Sequence, residues 1–381
     1  MTLAAVRAKQ SMESRIAVVP KVVSSLVKTG LEVIIETNAG QQAGISDDAF
    51  IEAGAKVVTQ EEAWNSDILA LVMPPSDEEI NSIKSHSVVV GLLHPLDAPQ
   101  RMSHLANRGI TALAMELVPR ISRAQKMDAL SAMASLAGYK AVLIAASHLP
   151  KFFPLLTTAA GTVRPANVTI LGAGVAGLQA IATARRLGAR VWGYDIREAA
   201  REEVKSLGAQ FVELDLEIED MQDEGGYAKA LMDAKAEKQV ELLVPHLATS
   251  DVVITTALIP GRKAPTLVSQ EAVEAMKPGS IIVDLAATTG GNCTLTVPDQ
   301  VQTHQGVQIF GPTNLPATVP ADASFLYART VAAMISEFVK DGEFKSNFED
   351  EIFKSACVCH DGQVVHERVL SLIKSTSPSW N

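Results

Sequence analysis

The chain has 381 residues, of which 47% are hydrophobic and only 4% aromatic, and its formal net charge is −10. An aliphatic composition with few aromatic residues is typical of α/β layers and excludes an intrinsically disordered chain. An acidic surface repels phosphate backbones, so we expect no binding to nucleic acids. At about 100–200 residues per domain, the length predicts two domains.

The three cysteines, Cys293, Cys357 and Cys359, are too few and too odd in number for a disulfide framework. Such sparse usage indicates a reducing compartment. The run Cys357-Val-Cys359-His360 packs three potential ligands together without a second cluster, so a strand or turn is favoured over a metal site. No signal peptide and no apolar run of about 20 residues is evident, so we expect a soluble cytoplasmic chain without a membrane span.

Short apolar runs alternate with helical patterns along the first third of the chain, which predicts βα units and a parallel sheet. The predicted strands are residues 16–19, 32–36, 68–72, 88–92 and 111–115. The predicted helices between them are residues 21–29, 47–53 and 98–107.

Residues 128–148 are rich in Ala, Leu and Met, which predicts one helix of about 30 Å that bridges two domains. A second βα series follows, with predicted strands at residues 168–171, 190–194, 252–256, 280–284 and 307–310. Another Ala-rich helix near residues 323–339 crosses back to the first domain, and residues 375–381 form a frayed or disordered tail.

The predicted fold class is therefore α/β, with two Rossmann-like doubly wound domains linked by long helices. Residues 1–127 form the first domain together with residues 315–381, and residues 128–314 form the second. A long acidic stretch at residues 213–238 interrupts the second domain. It is interpreted either as a mobile lid or as an acidic surface excursion.

A glycine-rich turn follows the predicted strand at residues 168–171 and opens a helix, in the pattern G-x-G-x-x-G. Gly172 permits the tight turn, Gly174 lets the backbone approach a pyrophosphate, and Gly177 lets helix and strand pack closely. Free N–H groups at the start of the helix would bind the phosphates. This context predicts a dinucleotide site.

The next strand ends at Asp195, 23 residues after Gly172. A carboxylate there accepts hydrogen bonds from the ribose hydroxyls of NAD and repels the 2′-phosphate of NADP. The sequence therefore favours NAD. Arg197 could blur that preference, although an exposed surface arginine is an equally good interpretation.

Two later strand ends carry small and polar residues to the same edge of the sheet, at residues 255–261 and 284–292. Both are candidates to contact a nicotinamide, with ordinary strand-to-loop turns as the alternative. A third candidate is the polar loop at residues 119–131. It either reaches toward a nucleotide or simply starts the long helix, with Asp128 as its N-cap.

Several of these segments together resemble the alanine dehydrogenase / nicotinamide nucleotide transhydrogenase superfamily, over nearly the whole chain. The match is to the branch of NAD(H)-binding alpha subunits of proton-translocating transhydrogenases. The segments are Arg120-Ile-Ser-Arg-Ala-Gln, Met127-Asp-Ala-Leu-Ser, Ala137-Gly-Tyr, Gly172-Ala-Gly-Val-Ala-Gly-Leu-Gln-Ala-Ile, Gly226-Tyr-Ala-Lys, Thr255-Thr-Ala-Leu-Ile-Pro-Gly, and Asp284-Leu-Ala with Gly290-Gly-Asn-Cys.

The resemblance implies the roles of individual residues. The loop that orients the nicotinamide nucleotide would use Arg120, Gln125, Asp128 and Ser131, and residues 213–238 would be a mobile loop that closes over NAD(H). The residues implied to bind the cofactor are Gly172, Ala173, Gly174, Val175, Ala176, Gly177, Asp195, Ile196, Arg197, Tyr227, Thr256, Ala257, Leu258, Asp284, Leu285 and Ala286. No metal is expected.

Two positions depart from what the resemblance implies for the alanine dehydrogenase branch. Arg15 and His94 are retained, but the substrate-binding Lys position is Met73 and the Asp beside the Gly-Gly turn is Thr288. Met cannot bind a carboxylate, and Thr is a poor proton donor, so amino-acid dehydrogenation is disfavoured. Direct hydride transfer between two nicotinamides needs neither group.

The resemblance therefore implies hydride transfer between NADH on this chain and NADP(H) on a partner domain, coupled to proton translocation by membrane-embedded subunits. It also implies a homodimer at the cytoplasmic face of the cell membrane. The alternatives are a free-standing amino-acid dehydrogenase and a binding module that senses NAD.

Overall fold

The computed structural model describes residues 1–9, 12–215, 226–259 and 261–376, with the backbone alone for residues 226–235. The chain divides into two compact units. Unit 1 comprises Met1–Met133 and Pro316–Asn381, and unit 2 comprises Ala134–Leu315. This division lies close to the predicted boundaries after residues 127 and 314.

The N-terminal half of unit 1 alternates strands and helices. Its strands are β1 Thr2–Ala5, β2 Glu32–Glu36, β3 Lys56–Val58, β4 Ile68–Ala70, β5 Val88–Gly91 and β6 Thr111–Ala114. Its helices are α1 Pro20–Val27, α2 Asp47–Glu52, α3 Gln60–Trp64, α4 Asp77–Ser82 and α5 Pro99–Asn107. The strands lie parallel in the order β3-β2-β1-β4-β5-β6. Capping boxes at Thr59 and Ser76 start α3 and α4.

The predicted strand at residues 16–19 is wrong. These residues are buried but form no strand, and the Ile16 N–H donates to the Ser324 hydroxyl at 3.0 Å instead of to a neighbouring strand. The central strand is β1, which pairs with both β2 and β4. Its sequence, Thr-Leu-Ala-Ala, is short and has two residues of weak strand propensity, so its own residues gave little signal.

The long predicted helix is confirmed as α6, Ala129–His148, which passes from unit 1 into unit 2. By length and composition it could span a membrane, a test that a buried helix of a soluble protein also passes. Ala141, Val142 and Ala145 of α6 are buried in the core of unit 2. A Cβ at Gly138 would lie 2.0 Å from the Ala176 carbonyl oxygen, so glycine permits this close approach.

Unit 2 contains a second sheet. The strands are β7 Leu156–Thr158, β8 Gly161–Val163, β9 Asn167–Leu171, β10 Arg190–Tyr194, β11 Gln210–Phe211, β12 Val252–Thr255, β13 Ile281–Asp284, β14 Val301–His304 and β15 Val307–Phe310. The helices are α7 Val175–Arg186, α8 Ala200–Ser206, α9 Gly226–Ala248 and α10 Gln270–Ala275. The sheet order is β11-β10-β9-β12-β13-β15-β14, and only β14 runs antiparallel. β7 and β8 form a separate hairpin.

The predicted loop at residues 213–238 is wrong over its second half. Helix α9 begins at Gly226, because Ala, Leu, Lys and Glu, all strong helix formers, dominate that stretch. The first half of the predicted loop includes residues 216–225, which lie outside the described residues.

The C-terminal segment returns to unit 1. It forms α11 Pro320–Phe338, β16 Val339–Lys340, β17 Glu343–Phe344, α12 Glu351–Ala356, β18 Cys357–His360, β19 Gln363–Val364 and α13 Glu367–Thr376. β18 pairs antiparallel with β6, which extends the first sheet. The prediction of a strand near Cys357 is therefore confirmed, while the predicted tail includes residues 377–381, which lie outside the described residues.

Both units thus have the strand order 3-2-1-4-5-6 of a doubly wound α/β fold, counted over the parallel strands of unit 1 and over β9 to β15 of unit 2. The predicted fold class is confirmed.

Candidate nucleotide-binding site

The sheet of unit 2 reverses its strand order between β9 and β12, and doubly wound folds bind ligands at the carboxyl ends of such strands. Gly172 follows β9 with φ of 100°, which favours glycine. A Cβ at Gly177 would lie 1.8 Å from the Gly172 carbonyl oxygen. Gly172 and Gly177 are therefore required by the fold itself.

Gly174 differs from the other two glycines. Its φ of −78° suits any residue, and a Cβ built there meets nothing within 4 Å. Gly174 is the N-cap of α7 and brings no side chain to cap the first N–H groups of that helix. These groups lack intrahelical partners, so the helix start presents donors and an open space to a phosphate.

Asp195 lies beside this turn, directly after β10. One carboxylate oxygen accepts the Ala173 N–H at 2.8 Å and the Arg197 Nη2 at 3.0 Å. The other oxygen accepts the backbone N–H and the Nε of Arg197, both at 2.9 Å. Arg197 therefore holds the carboxylate that the sequence assigns to the ribose hydroxyls.

The electrostatics keep Asp195 charged. Burial raises the pKa of its carboxyl group, but the hydrogen bonds from Arg197 and Ala173 lower it further, and the net pKa lies below the ordinary value. The guanidinium of Arg197 is 60% exposed, so it can leave the carboxylate without breaking the core. A ribose diol can replace it as the donor to an ionised Asp195.

Exposed apolar side chains surround the same strand ends. Val175, Ile196, Leu258 and Ile259 are between 43% and 74% exposed, which is unusual for large hydrophobic residues. The Thr256 hydroxyl donates to the Gly172 carbonyl at 3.0 Å and so joins the β12 end to the glycine-rich turn. These apolar groups provide surfaces on which flat rings can lie.

Asp284 has a different surrounding from the one expected of a cofactor ligand. Its side chain is fully buried. Its carboxylate accepts the hydroxyls of Thr255 and Thr296 at 2.8 and 2.7 Å. It also accepts the N–H groups of Ala286, Asn292 and Cys293 at 2.8–3.0 Å. We therefore expect its carboxylate to shape the loop, with Leu285 and Ala286 left closer to a ligand.

Asn292 is a structural residue that the sequence analysis did not single out. It is fully buried, and its amide accepts the Ala257 N–H while donating to the carbonyls of Ala257 and Pro265. Asp284 and Asn292 thus fix the two loops that follow β12 and β13. The Gly-Gly-Asn sequence was the available signal, since a buried amide next to a glycine turn commonly binds backbone groups.

The polar loop of unit 1 forms a 3-10 helix, Ser122–Met127, before α6. The Asp128 carboxylate accepts the Ser131 N–H at 2.8 Å and its hydroxyl at 2.6 Å, so Asp128 does cap α6. Gln125 and Asp128 line an open groove of about 680 Å³, together with Lys21, Phe325 and Arg329. Among the described residues, no hydrogen bond or ion pair engages the side chain of Arg120.

The structure therefore collects the glycine-rich turn, Asp195, Ile196, Arg197 and the residues 256–258 at one edge of unit 2. It places Arg120, Gln125, Asp128 and Ser131 in one segment of unit 1. The side chain of Tyr227 lies outside the described residues.

Known proteins share both halves of this arrangement. The family model described as "Alanine dehydrogenase/PNT, N-terminal domain" matches residues 5–137, and the corresponding C-terminal domain matches residues 141–367. The chain belongs to the alanine dehydrogenase/PNT family.

Individual members of the family resemble the chain to different degrees. A Rhodospirillum rubrum protein named as an NAD(P) transhydrogenase subunit alpha is 44% identical over 377 residues, which cover 96% of this chain and 98% of the relative. A solved transhydrogenase structure from Sinorhizobium meliloti superposes with a TM-score of 0.85 at 39% identity, covering 96% and 99% of the two chains. A solved L-alanine dehydrogenase structure gives a TM-score of 0.84 at 25% identity, covering 99% and 100%.

The residues tied to alanine dehydrogenation are poorly suited to it here. Arg15 is buried and donates to both carboxylate oxygens of Glu13, at 2.7 and 2.6 Å. A keto-acid carboxylate would have to compete with this buried ion pair. Met73 and Thr288 add neither a cation nor a proton donor. Within the alanine dehydrogenase/PNT family, the sequence identities agree with this chemistry in favouring the transhydrogenase branch.

Proposed function

We propose that the chain is the NAD(H)-binding alpha subunit of a proton-translocating NAD(P) transhydrogenase. In this reaction, hydride passes between NADH on this chain and NADP⁺ on a partner subunit. The observation that carries the cofactor assignment is the space at Gly174, where the fold tolerates a side chain but none is present. A phosphate on the N–H groups of α7 would occupy that space.

The dihydronicotinamide ring of bound NADH would supply the hydride, and the chain would supply position. Val175, Ile196 and Leu258 offer apolar contact, and ionised Asp195 accepts from the ribose. Asp128 and Ser131 hold each other through two hydrogen bonds, so their polar atoms are ordered before a nucleotide arrives. Because no proton moves in a direct hydride transfer, the mechanism needs no acid or base.

A single variant tests the cofactor site. Gly174→Ala should fold as the wild type does, since its methyl group meets no protein atom. Its affinity for NADH should fall at least about tenfold, because the methyl occupies the space for the pyrophosphate. Calorimetric titration and thermal melting measure both. Unchanged NADH affinity in this variant would remove the assignment.

The activity itself is tested by mixing the chain with the NADP(H)-binding partner subunit and NADH, and by following reduction of an NADP⁺ analogue with a distinct absorbance. We expect transfer only when both chains are present. NADH oxidation by the isolated chain with pyruvate and ammonia would instead identify an amino-acid dehydrogenase. NADH binding without transfer to the partner would identify a sensing module.

The names of the transhydrogenase relatives include the word subunit, which supports partner chains for this protein. We propose that these partners bind NADP(H) and span the membrane, and that the chain docks on them at the cytoplasmic face. The net charge of −10 opposes direct adsorption to an anionic membrane surface.

We further propose a homodimer that forms through the hairpin β7–β8. Every residue of both strands is exposed, and in the described structure each strand pairs only with the other. A lone two-stranded ribbon is marginally stable in water. Phe152, Leu155, Leu156 and Val163 expose large apolar side chains along it, and an equivalent hairpin of a second copy would cover them.

Analytical ultracentrifugation tests the dimer. The wild type should sediment as a dimer, and the double variant Leu155→Ser, Val163→Ser as a monomer. Val301→Ser is the matched control, because Val301 is 54% exposed and lies outside the hairpin. A dimeric double variant would contradict this interface.

A further inference from the structure

The 3-10 helix Ser122–Met127 carries three kinds of side chain on three faces. Because a 3-10 helix has three residues per turn, side chains three positions apart share a face. Ser122 and Gln125 lie on one face, which continues to Asp128. Ala124 and Met127 lie on the second and are fully buried. Arg123 and Lys126 lie on the third.

The cationic face is held by carboxylates of the C-terminal segment. Arg123 Nη1 lies 2.9 Å from Glu337 Oε1, and its Nη2 lies 2.8 Å from Asp350 Oδ2. Lys126 Nζ lies 3.1 Å from Glu337 Oε2. Two cations and two carboxylates therefore form one connected network.

Both carboxylates are attached to well-packed elements. Glu337 precedes the buried Phe338 in the last turn of α11. Asp350 caps α12, where its second oxygen accepts the Ile352 N–H at 2.8 Å. The fully buried Phe353 of α12 packs edge-on against Phe338 and Phe348. The network thus ties the 3-10 helix to a rigid region of unit 1.

The charges agree with this geometry. Hydrogen bonding to Asp350 and Glu337 raises the pKa of Arg123. Burial raises the pKa of Glu337 and Asp350, but the nearby cations more than offset it, and both pKa values lie below their ordinary range. Isolated exposed ion pairs stabilise little, so the value of a network such as this lies in fixing geometry.

We infer that Arg123 is a positioning residue for hydride transfer, an inference that rests on the proposed function. The two arginines of Arg120-Ile-Ser-Arg have divided roles. Arg120 is exposed and unengaged in the described structure, whereas Arg123 sets the rotation of the helix that presents Gln125 and Asp128. The buried Ala124 and Met127 set only its depth.

A small rotation is enough to matter. Turning the helix by about 15° moves a side-chain atom about 5 Å from the axis by about 1 Å. A displacement of about 1 Å in a positioning group can lower a rate by about 100-fold. The effect should appear in hydride transfer and not in binding at the glycine-rich turn.

The test compares Arg123→Gln with the wild type in the complex with the NADP(H)-binding partner subunit. At saturating nucleotide, the rate of hydride transfer should fall at least about tenfold. The affinity for ADP-ribose, which lacks the nicotinamide, should change less than about twofold. Arg123→Lys should recover some of the rate, because an ammonium group reaches one carboxylate but cannot fork between two.

Two further variants separate the network from its surroundings. Asp350→Asn removes the charge but retains a good N-cap, and it should lower the rate as Arg123→Gln does. Lys354→Gln is the matched control, since Lys354 is an exposed cation of α12 outside the network, and it should leave the rate unchanged.

The outcomes distinguish two failures. A wild-type complex without hydride transfer would overturn the proposed function. An active wild type with an Arg123→Gln rate within about twofold of it would overturn the positioning role alone. A rate that falls in proportion to thermal stability and ADP-ribose affinity would also overturn it, since that result shows general loss of structure.

Discussion

Units 1 and 2 share a strand order and one hydrogen bond, yet only unit 2 presents a nucleotide site. In each unit an acidic residue lies at the end of the second strand, Glu36 of β2 and Asp195 after β10. Each accepts the N–H of the second residue after the first strand, Arg7 at 3.0 Å and Ala173 at 2.8 Å. The two halves therefore have equivalent frameworks at the ligand-binding edge.

The acids differ in their surroundings. Glu36 is 4% exposed, and burial raises its pKa. Asp195 carries the Arg197 guanidinium, and its pKa is lowered. The connections differ as well, because β9 reaches α7 through a three-glycine turn while β1 reaches α1 through a long loop that ends at Pro20. Function in this fold is thus set by the connection and not by the strand order.

The largest expected effect comes from the turn that distinguishes the units. Gly177→Ala places a Cβ 1.8 Å from a backbone oxygen that cannot move away cheaply. We expect about 3 kcal/mol lower stability and NADH affinity reduced by more than about 100-fold. Chemical denaturation and fluorescence titration measure these. Near-normal NADH binding would show that the turn is not the phosphate site.

The paired acids give the next test. Asp195→Asn should weaken NADH binding by about 10- to 100-fold, since a charged acceptor for the ribose hydroxyls is lost. Glu36→Gln should leave NADH affinity within about twofold, because Glu36 is buried and faces no ligand space. Equal losses in both variants, measured by calorimetric titration, would contradict the functional difference between the units.

Arg197 sharpens the choice between the two nucleotides. In Arg197→Ala the carboxylate of Asp195 remains, while the cation that could accept a 2′-phosphate is gone. We expect the ratio of NADH to NADPH affinity to rise about tenfold. Competition with ADP and 2′,5′-ADP isolates this end of the nucleotide. An unchanged ratio would make Arg197 irrelevant to specificity.

The smallest effects concern pH. Asp195 has a pKa below 3.8, so its ion pair stabilises the folded state above about pH 4, and that contribution is lost as pH falls. NADH affinity should accordingly be flat between about pH 5 and 9. Glu36 has a pKa above 4.5, so its burial costs stability as pH rises from 4.5 through the raised value.

Thermal melting at several pH values tests this contrast. Glu36→Gln should remove the loss of stability on the way up from pH 4.5, and Asp195→Asn should remove the loss on the way down below about pH 4. Identical pH profiles for the wild type and both variants would show that neither pKa is shifted in solution.

The sequence by itself determined the elements whose signals are local. The glycine spacing, the placed Asp195 and the helix-forming run of α6 each depend on residues close together in the chain. Such patterns persist in any fold that contains them, which is why they identified the dinucleotide turn and the fold class.

The tertiary structure alone decided the features that join distant residues. β1 became a strand through its pairing with β2 and β4, and Glu36 matched Asp195 only once both sheets were built. The carboxylates that hold Arg123 lie more than 200 positions away along the chain. Pairing, burial and ion-pair networks are long-range, so no local window contains the groups that create them.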